Sequence, residues 1–150
     1  MRALLIAAAG LVALCGPAYA ATDVVFTGNV ADTCTLAVPT PGTMTLSSDG
    51  KTLGSDQPLG IPATVTVLSL GSNTVTLAAP TLTDSPAGYG GGETVQMSYA
   101  GLASHAYTSQ LQTISLGILP LTSLIIDMQV INASGFVQGT YKAKTVLTCS

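Results

Sequence analysis

Short runs of alternating apolar and polar residues, punctuated by glycine, proline, asparagine and aspartate, dominate this chain. Successive side chains of a β-strand point to opposite faces, so such alternation marks strands with one buried face. Val24, Phe26, Val30, Cys34, Leu36 and Val38 share one parity, interrupted by Gly28 and Asp32. A short run follows at 43–46, and Ser48-Asp49-Gly50-Lys51 carries an Asp-Gly turn signal. In 61–70, Val65 and Val67 fall on one face and Thr64 and Thr66 on the other. Gly71-Ser72-Asn73 then reads as a tight turn into 74–79, predicting a hairpin. Residues 80–92 are rich in turn formers. After them Val95, Met97 and Tyr99 alternate, 101–110 reads as a polar connection, and 111–119 reads as a weaker strand ended by Pro120. Residues 123–131 direct Leu124, Ile126, Met128 and Val130 to one face. Residues 140–149 set Tyr141, Ala143, Leu147 and Cys149 against Lys142 and Lys144.

Outside the first twenty residues nothing shows a helical period. Seven or eight short antiparallel strands with turns between them predict an all-β fold, an immunoglobulin-like Greek-key β-sandwich. A closed barrel is the alternative.

The N-terminus reads differently. Arg2 is followed by an apolar run at 3–15, a helix-breaking Gly16-Pro17 and the small-x-small sequence Ala18-Tyr19-Ala20. This pattern predicts a secretory signal peptide, residues 1–20, cleaved after Ala20. The apolar run is too short to span a bilayer comfortably. Cys15 raises the alternative of a lipoprotein signal, but Leu14 stands where that signal needs a small residue. The expected working protein is a single domain, 21–150, exported to the periplasm, the cell surface or the medium.

Composition narrows the function classes. The chain is 47% hydrophobic and only 7% charged, against about 25% charged in an average globular protein. Loss of Arg2 with the leader takes the formal charge from −3 to −4, leaving Lys51, Lys142 and Lys144 as the cations. So few cations cannot neutralise nucleic-acid phosphates. No second long apolar segment predicts a membrane span. Cys34 and Cys149 remain as a pair near opposite ends of the mature chain, and an oxidising compartment favours one disulfide between them. Intermolecular bonding and free thiols are the alternatives. The spacing fits neither a zinc knuckle nor a redox Cys-x-x-Cys.

Candidate chemistry is sparse. His105 is the sole histidine, no Gly-x-Ser-x-Gly is present, and a solvated loop histidine is the expectation. Asp49 and Asp56 lack calcium-loop spacing and read as turn formers. Gly88-Tyr89-Gly90-Gly91-Gly92 is followed by Glu93, not by the Lys of a phosphate loop. The seven acids show no pairing of the kind a glycosidase needs. Asn132-Ala133-Ser134 matches a glycosylation acceptor. No enzyme, metal site or cofactor is therefore expected. Tyr89 and Tyr107, placed in loops by this reading, are the candidates for ligand contact, whereas Tyr99 and Tyr141 have core parity.

Both ends of the mature chain resemble pilin subunits of the chaperone–usher pathway, including the spore-coat-U-like pilins. At the start stands an alternating apolar segment containing a glycine and then a cysteine: Asp23-Val24-Val25-Phe26-Thr27-Gly28-Asn29-Val30-Ala31-Asp32-Thr33-Cys34-Thr35-Leu36. At the end stands Gly139-Thr140-Tyr141-Lys142-Ala143-Lys144-Thr145-Val146-Leu147-Thr148-Cys149, similar to a final pilin strand. The resemblance implies a sandwich lacking its last strand, completed by a neighbour's N-terminal segment. Residues 22–33 would be that donor segment, with Val24, Phe26 and Val30 as its apolar side chains and Gly28 at a close backbone approach. The implied partners are copies of the chain or related subunits, with a periplasmic chaperone during export. A Cys34–Cys149 bond would staple the first and last strands. That is compatible with an open groove and also with a self-complete sandwich, in which 24–30 is the domain's own edge strand. The competing expectation is a freestanding binding module, for carbohydrate, using Tyr89, Tyr107 and the 80–92 loop.

Overall fold

The computed structural model describes residues 27–28, 33–117 and 119–150. The expected signal peptide, and Val24, Phe26 and Val30 of the expected donor segment, lie outside these residues.

The described chain is all β and antiparallel. Its strands are β1 (Thr33–Thr40), β2 (Thr45–Leu46), β3 (Thr52–Gly54), β4 (Ala63–Leu70), β5 (Thr74–Leu77), β6 (Thr81–Asp84), β7 (Thr94–Gly101), β8 (His105–Thr108), β9 (Gln112–Ser115), β10 (Leu119–Ile131), β11 (Lys142–Lys144) and β12 (Leu147–Cys149). Bulges and loops cut several of these out of longer courses. The segments 33–46 and 52–70 run antiparallel, from the Leu46–Leu53 pair at one end to the Thr33–Leu70 pair at the other. The turn joining them is the expected one. Gly50 has φ +72°, Ser47 Oγ donates to Asp49 Oδ1 (2.5 Å), and Lys51 N–H donates to the same oxygen (3.1 Å). Those bonds hold the Asp49 carboxyl below its ordinary pKa, the Ser47 hydroxyl contributing most.

β10 is the centre of the first sheet. One side pairs with β4 and then β3, and the other with β7, which in turn pairs with β8. Ser55, only 4% exposed, fills the interruption between β3 and β4. Its N–H donates to Met128 O (2.9 Å), its Oγ accepts from Met128 N–H (2.9 Å), and the same hydroxyl donates to Asp127 Oδ1 (2.8 Å). Gly60 returns the intervening loop past this point, and a Cβ there would stand 2.5 Å from Ser55 O. The second sheet consists of two ladders, β12–β5–β9 and β11–β6, joined where Ala78 N–H donates to Val146 O (2.9 Å).

The two sheets enclose one core. Val65 and Val67 of β4, Met97 and Tyr99 of β7, and Leu124 and Ile126 of β10 meet Val75 and Leu77 of β5, Ile114 of β9 and Leu116. Each fully buried side chain of this kind contributes roughly 1.5–3 kcal/mol. The buried faces are those that alternation predicts on β4, β7 and β10.

Three connections differ from the sequence reading. β4 and β5 do not form a hairpin, because Gly71-Ser72-Asn73 carries the chain from one sheet to the other. Asn73 is 7% exposed and makes this crossing, with its Nδ2 donating to Ser69 Oγ (2.9 Å), Thr33 O (3.2 Å) and Leu70 O (3.3 Å). Val67 and Val75 therefore face the same core from opposite sides, an arrangement with the same polarity pattern as a hairpin. The stretch 111–119 is likewise divided, since β9 belongs to the second sheet and Leu119 opens β10 in the first. Pro120, expected to end a strand, lies inside β10 where the register shifts between Leu119 and Thr122, a place that tolerates a residue with no N–H. Finally, His105 sits in strand β8, its ring stacked on Tyr99 with centroids 5.7 Å apart.

The Ser55→Ala variant should lose about 1–3 kcal/mol, the cost of a buried N–H at Met128 left without its acceptor. Urea unfolding of the variant against the parent chain measures this, with an unchanged dependence on denaturant concentration.

Candidate functional site

A trench of about 850 Å³ lies between the two sheets, along one open side of the sandwich. One wall is the edge course of the first sheet, contributing Val38, Pro41, Gly42, Thr43 and Met44. The opposite wall is the C-terminal course of the second sheet, from Gly139 to Leu147. Leu53, Ala63, Val65, Ile126 and Met128 form the floor. The lining is mainly apolar because these are the inward-facing positions of their strands. Val38 has the parity of Cys34 and Leu36, yet it is 57% exposed. No described residue covers it on the trench side.

Both walls are sheet edges. Among the described residues β1 pairs only with β4, β2 only with β3, β11 only with β6 and β12 only with β5. Their outward N–H and C=O groups flank the trench along its length. At ~3.3 Å per residue the wall 139–147 is roughly 27–30 Å long, enough for a whole strand. At one end Cys34 and Cys149 are bonded, with Cα atoms 6.0 Å apart, which ties the two walls together.

Beyond the other end sits an aromatic cluster. The Tyr89 ring stacks on Phe136 (centroids 5.9 Å apart), and Tyr141 meets both edge-on at 5.1 and 5.2 Å. Asn132, 4% exposed, donates from Nδ2 to Tyr89 Oη (2.8 Å) and to Gly91 O (3.0 Å), while its Oδ1 accepts from Ser134 N–H. An amide so buried and so bonded cannot serve as a glycosylation acceptor in the folded chain. Burial raises the Tyr89 pKa, and Glu93 nearby adds to that rise.

The two tyrosines singled out for ligand contact are not in one place. Tyr89 borders a polar cleft of about 440 Å³ lined by Asp84, Ser85, Gly90, Gly91 and Glu93. Tyr107 lies on β8, at the edge of the first sheet, and lines neither the trench nor that cleft. Its hydroxyl is buried without a hydrogen-bond partner. Burial, reinforced by the Asp56 carboxylate, pushes its pKa up to about 12. Gly28, expected at a close backbone approach, is exposed and has no atom within 4 Å of where a Cβ would stand. His105 is exposed, with Nδ1 2.7 Å from Ala106 O. Among the described residues no three His, Cys, Asp or Glu side chains gather as metal ligands, and no helix is long and apolar enough to cross a membrane. Sequence reasoning missed Leu53 of the trench floor and Met44 of its wall. The only available signal was that 43–46 and 52–54 flank one Asp-Gly turn.

Comparison of the chain with protein-family models, with characterised proteins and with solved structures found no match.

The raised Tyr107 pKa carries a pH dependence. The folded chain holds this proton more tightly than the unfolded chain does. The contribution is thus complete below pH 10, the ordinary tyrosine value, and is lost as pH rises toward about 12. Tyr107→Phe should flatten the alkaline fall in stability over that interval. At neutral pH it should be neutral or slightly stabilising, since it removes an unpartnered buried hydroxyl. Thermal unfolding between pH 7 and 11.5, with absorbance titration of the tyrosines, checks both.

Proposed function

We propose that this protein is an exported structural subunit of a surface assembly, joined to its neighbours by strand addition in the manner of a pilin. The observation that carries this reading is the apolar trench walled by two unpaired sheet edges. An inserted strand would satisfy backbone groups on both walls and bury its alternate side chains on Val65, Ile126 and Met128. The other occupant class, a small apolar ligand, would leave the wall amides and carbonyls unused.

Residues 22–33 of another copy are the proposed strand. Val24, Phe26 and Val30 share one parity and supply three apolar side chains to one face. Fully extended at ~3.3 Å per residue, the twelve-residue segment is longer than the trench wall and can cover it from end to end. Asp23 and Asp32 near its ends suit a wall that carries Lys144, a residue in no ion pair among those described. Thr27 and Gly28 are exposed, which supports use of the segment outside its own domain. The leader pattern and the Cys34–Cys149 disulfide support export to an oxidising compartment. An export chaperone that occupies the trench before assembly is part of this reading. The immunoglobulin-like description of the sandwich is part of it as well.

Material sheared from the native cell surface should run as a ladder on an unheated, non-reducing gel and collapse to monomer on heating without reductant. Collapse only with reductant would show intermolecular disulfides instead. A single monomer band would refute the assembly and favour a freestanding module. Ala143→Glu, which places a carboxylate on the trench wall, should abolish the ladder while the purified monomer keeps its circular dichroism and melting temperature within a few degrees.

A further inference from the structure

We infer that the Cys34–Cys149 disulfide is a redox latch on the trench, so that the oxidised chain accepts a strand and the reduced chain does so poorly. This rests on the reading of the trench as a strand acceptor. The bond joins the two trench walls to each other, where each is otherwise held only on its far side. Cys34 stands opposite Ser69 in the β1–β4 ladder, and Cys149 stands opposite Val75 in the β12–β5 ladder. The last residue is held the same way, by the reciprocal bonds between Ser150 and Thr74. β1 and β12 belong to different sheets and share no ladder. At this end the sulfur bridge is the covalent tie between the walls, with Cα atoms 6.0 Å apart, beside the Asn73 Nδ2 bond to Thr33 O that holds β1 to the crossing.

The sulfurs lie at the rim of the core. The fully buried side chains belong to β4, β5, β7 and β10, and both cysteines are only partly buried against the core. Breaking the bridge leaves those packed strands in place and frees the ends of β1 and β12. A strand entering the trench must hydrogen-bond both walls at once, so it gains from walls already held at a fixed distance. The partial exposure of both cysteines leaves the bridge open to exchange.

The chemistry is exchange with a small dithiol. One thiolate attacks a sulfur of the bridge, the Cys34–Cys149 bond breaks, and a mixed disulfide forms. The reductant's second thiol then displaces the protein sulfur. Cys34 and Cys149 end as two thiols, the dithiol ends as a disulfide, and two electrons and two protons have passed to the protein. An oxidising compartment runs this in reverse, so that export and latching coincide.

The test is a titration of the purified monomeric mature chain with a fluorophore-labelled synthetic peptide of residues 22–33, read by anisotropy. It compares the oxidised chain, the dithiothreitol-reduced chain and the Cys34→Ala/Cys149→Ala double variant. Amide hydrogen exchange is followed on each. The expected result is peptide affinity roughly tenfold or more weaker in the reduced chain and in the double variant. Exchange should quicken in β1 and β12 and stay slow in β10. Equal affinity in all three forms would overturn the latch and leave the strand-acceptor reading standing. Loss of protection in β10 together with the edges would also overturn it, because the bridge would then hold the whole fold. No binding by the oxidised chain would overturn the acceptor reading and the latch with it.

Discussion

A strand at a sheet edge offers one side of its backbone to nothing, and the structure of this protein turns on where it leaves those edges. β10 avoids the problem over most of its length, pairing with β4 and β3 on one side and, from Leu124 to Ile131, with β7 on the other. The cost falls on the courses 33–46 and 142–149. These two edges border one apolar trench instead of facing away from each other. Nothing charged blunts the first of them, and Lys142 and Lys144 are the only cations on the second. Surface edges are commonly protected by charges, bulges or a covering loop. Here the trench-facing positions are the inward-facing ones, so the site has the composition of a core from which one strand is missing.

Polar residues in the interior do a separate job, which is to hold the courses where they break or cross. Ser55 replaces a missing rung on β10, Asn73 ties the sheet-to-sheet crossing to both β1 and β4, and Asn132 fastens the last loop to the aromatic cluster. Each is nearly fully buried and each is hydrogen-bonded, which is the condition for a polar group to be tolerated there. Together they keep the trench walls in position relative to the floor.

Ion pairs contribute little. Lys142 and Asp84 meet at 3.2 Å with side chains 67% and 51% exposed, a geometry with a modest effect on stability. The single apolar core and the Cys34–Cys149 bridge stabilise the fold far more. With a sequence separation of 115, the bridge is worth about 4–5 kcal/mol in the chain-entropy model. A surface with few charges also resists self-association weakly.

The sequence alone determined the all-β class, the buried faces of β4, β7 and β10 and the Asp49-Gly50 turn, and it favoured the cysteine pairing that the structure contains. Each of these follows from local alternation, local turn chemistry or a simple count. Tertiary structure decided which strands are neighbours. Gly71-Ser72-Asn73 looks the same whether it closes a hairpin or crosses between sheets, because Val67 and Val75 face a common core in both cases. It also decided that Tyr89 and Tyr107 lie apart and that Met44, Leu53 and Tyr141 border one trench. Periodicity reports which side of a strand is apolar. It carries no information about whether a second strand lies beside it, and that is the property on which the trench depends.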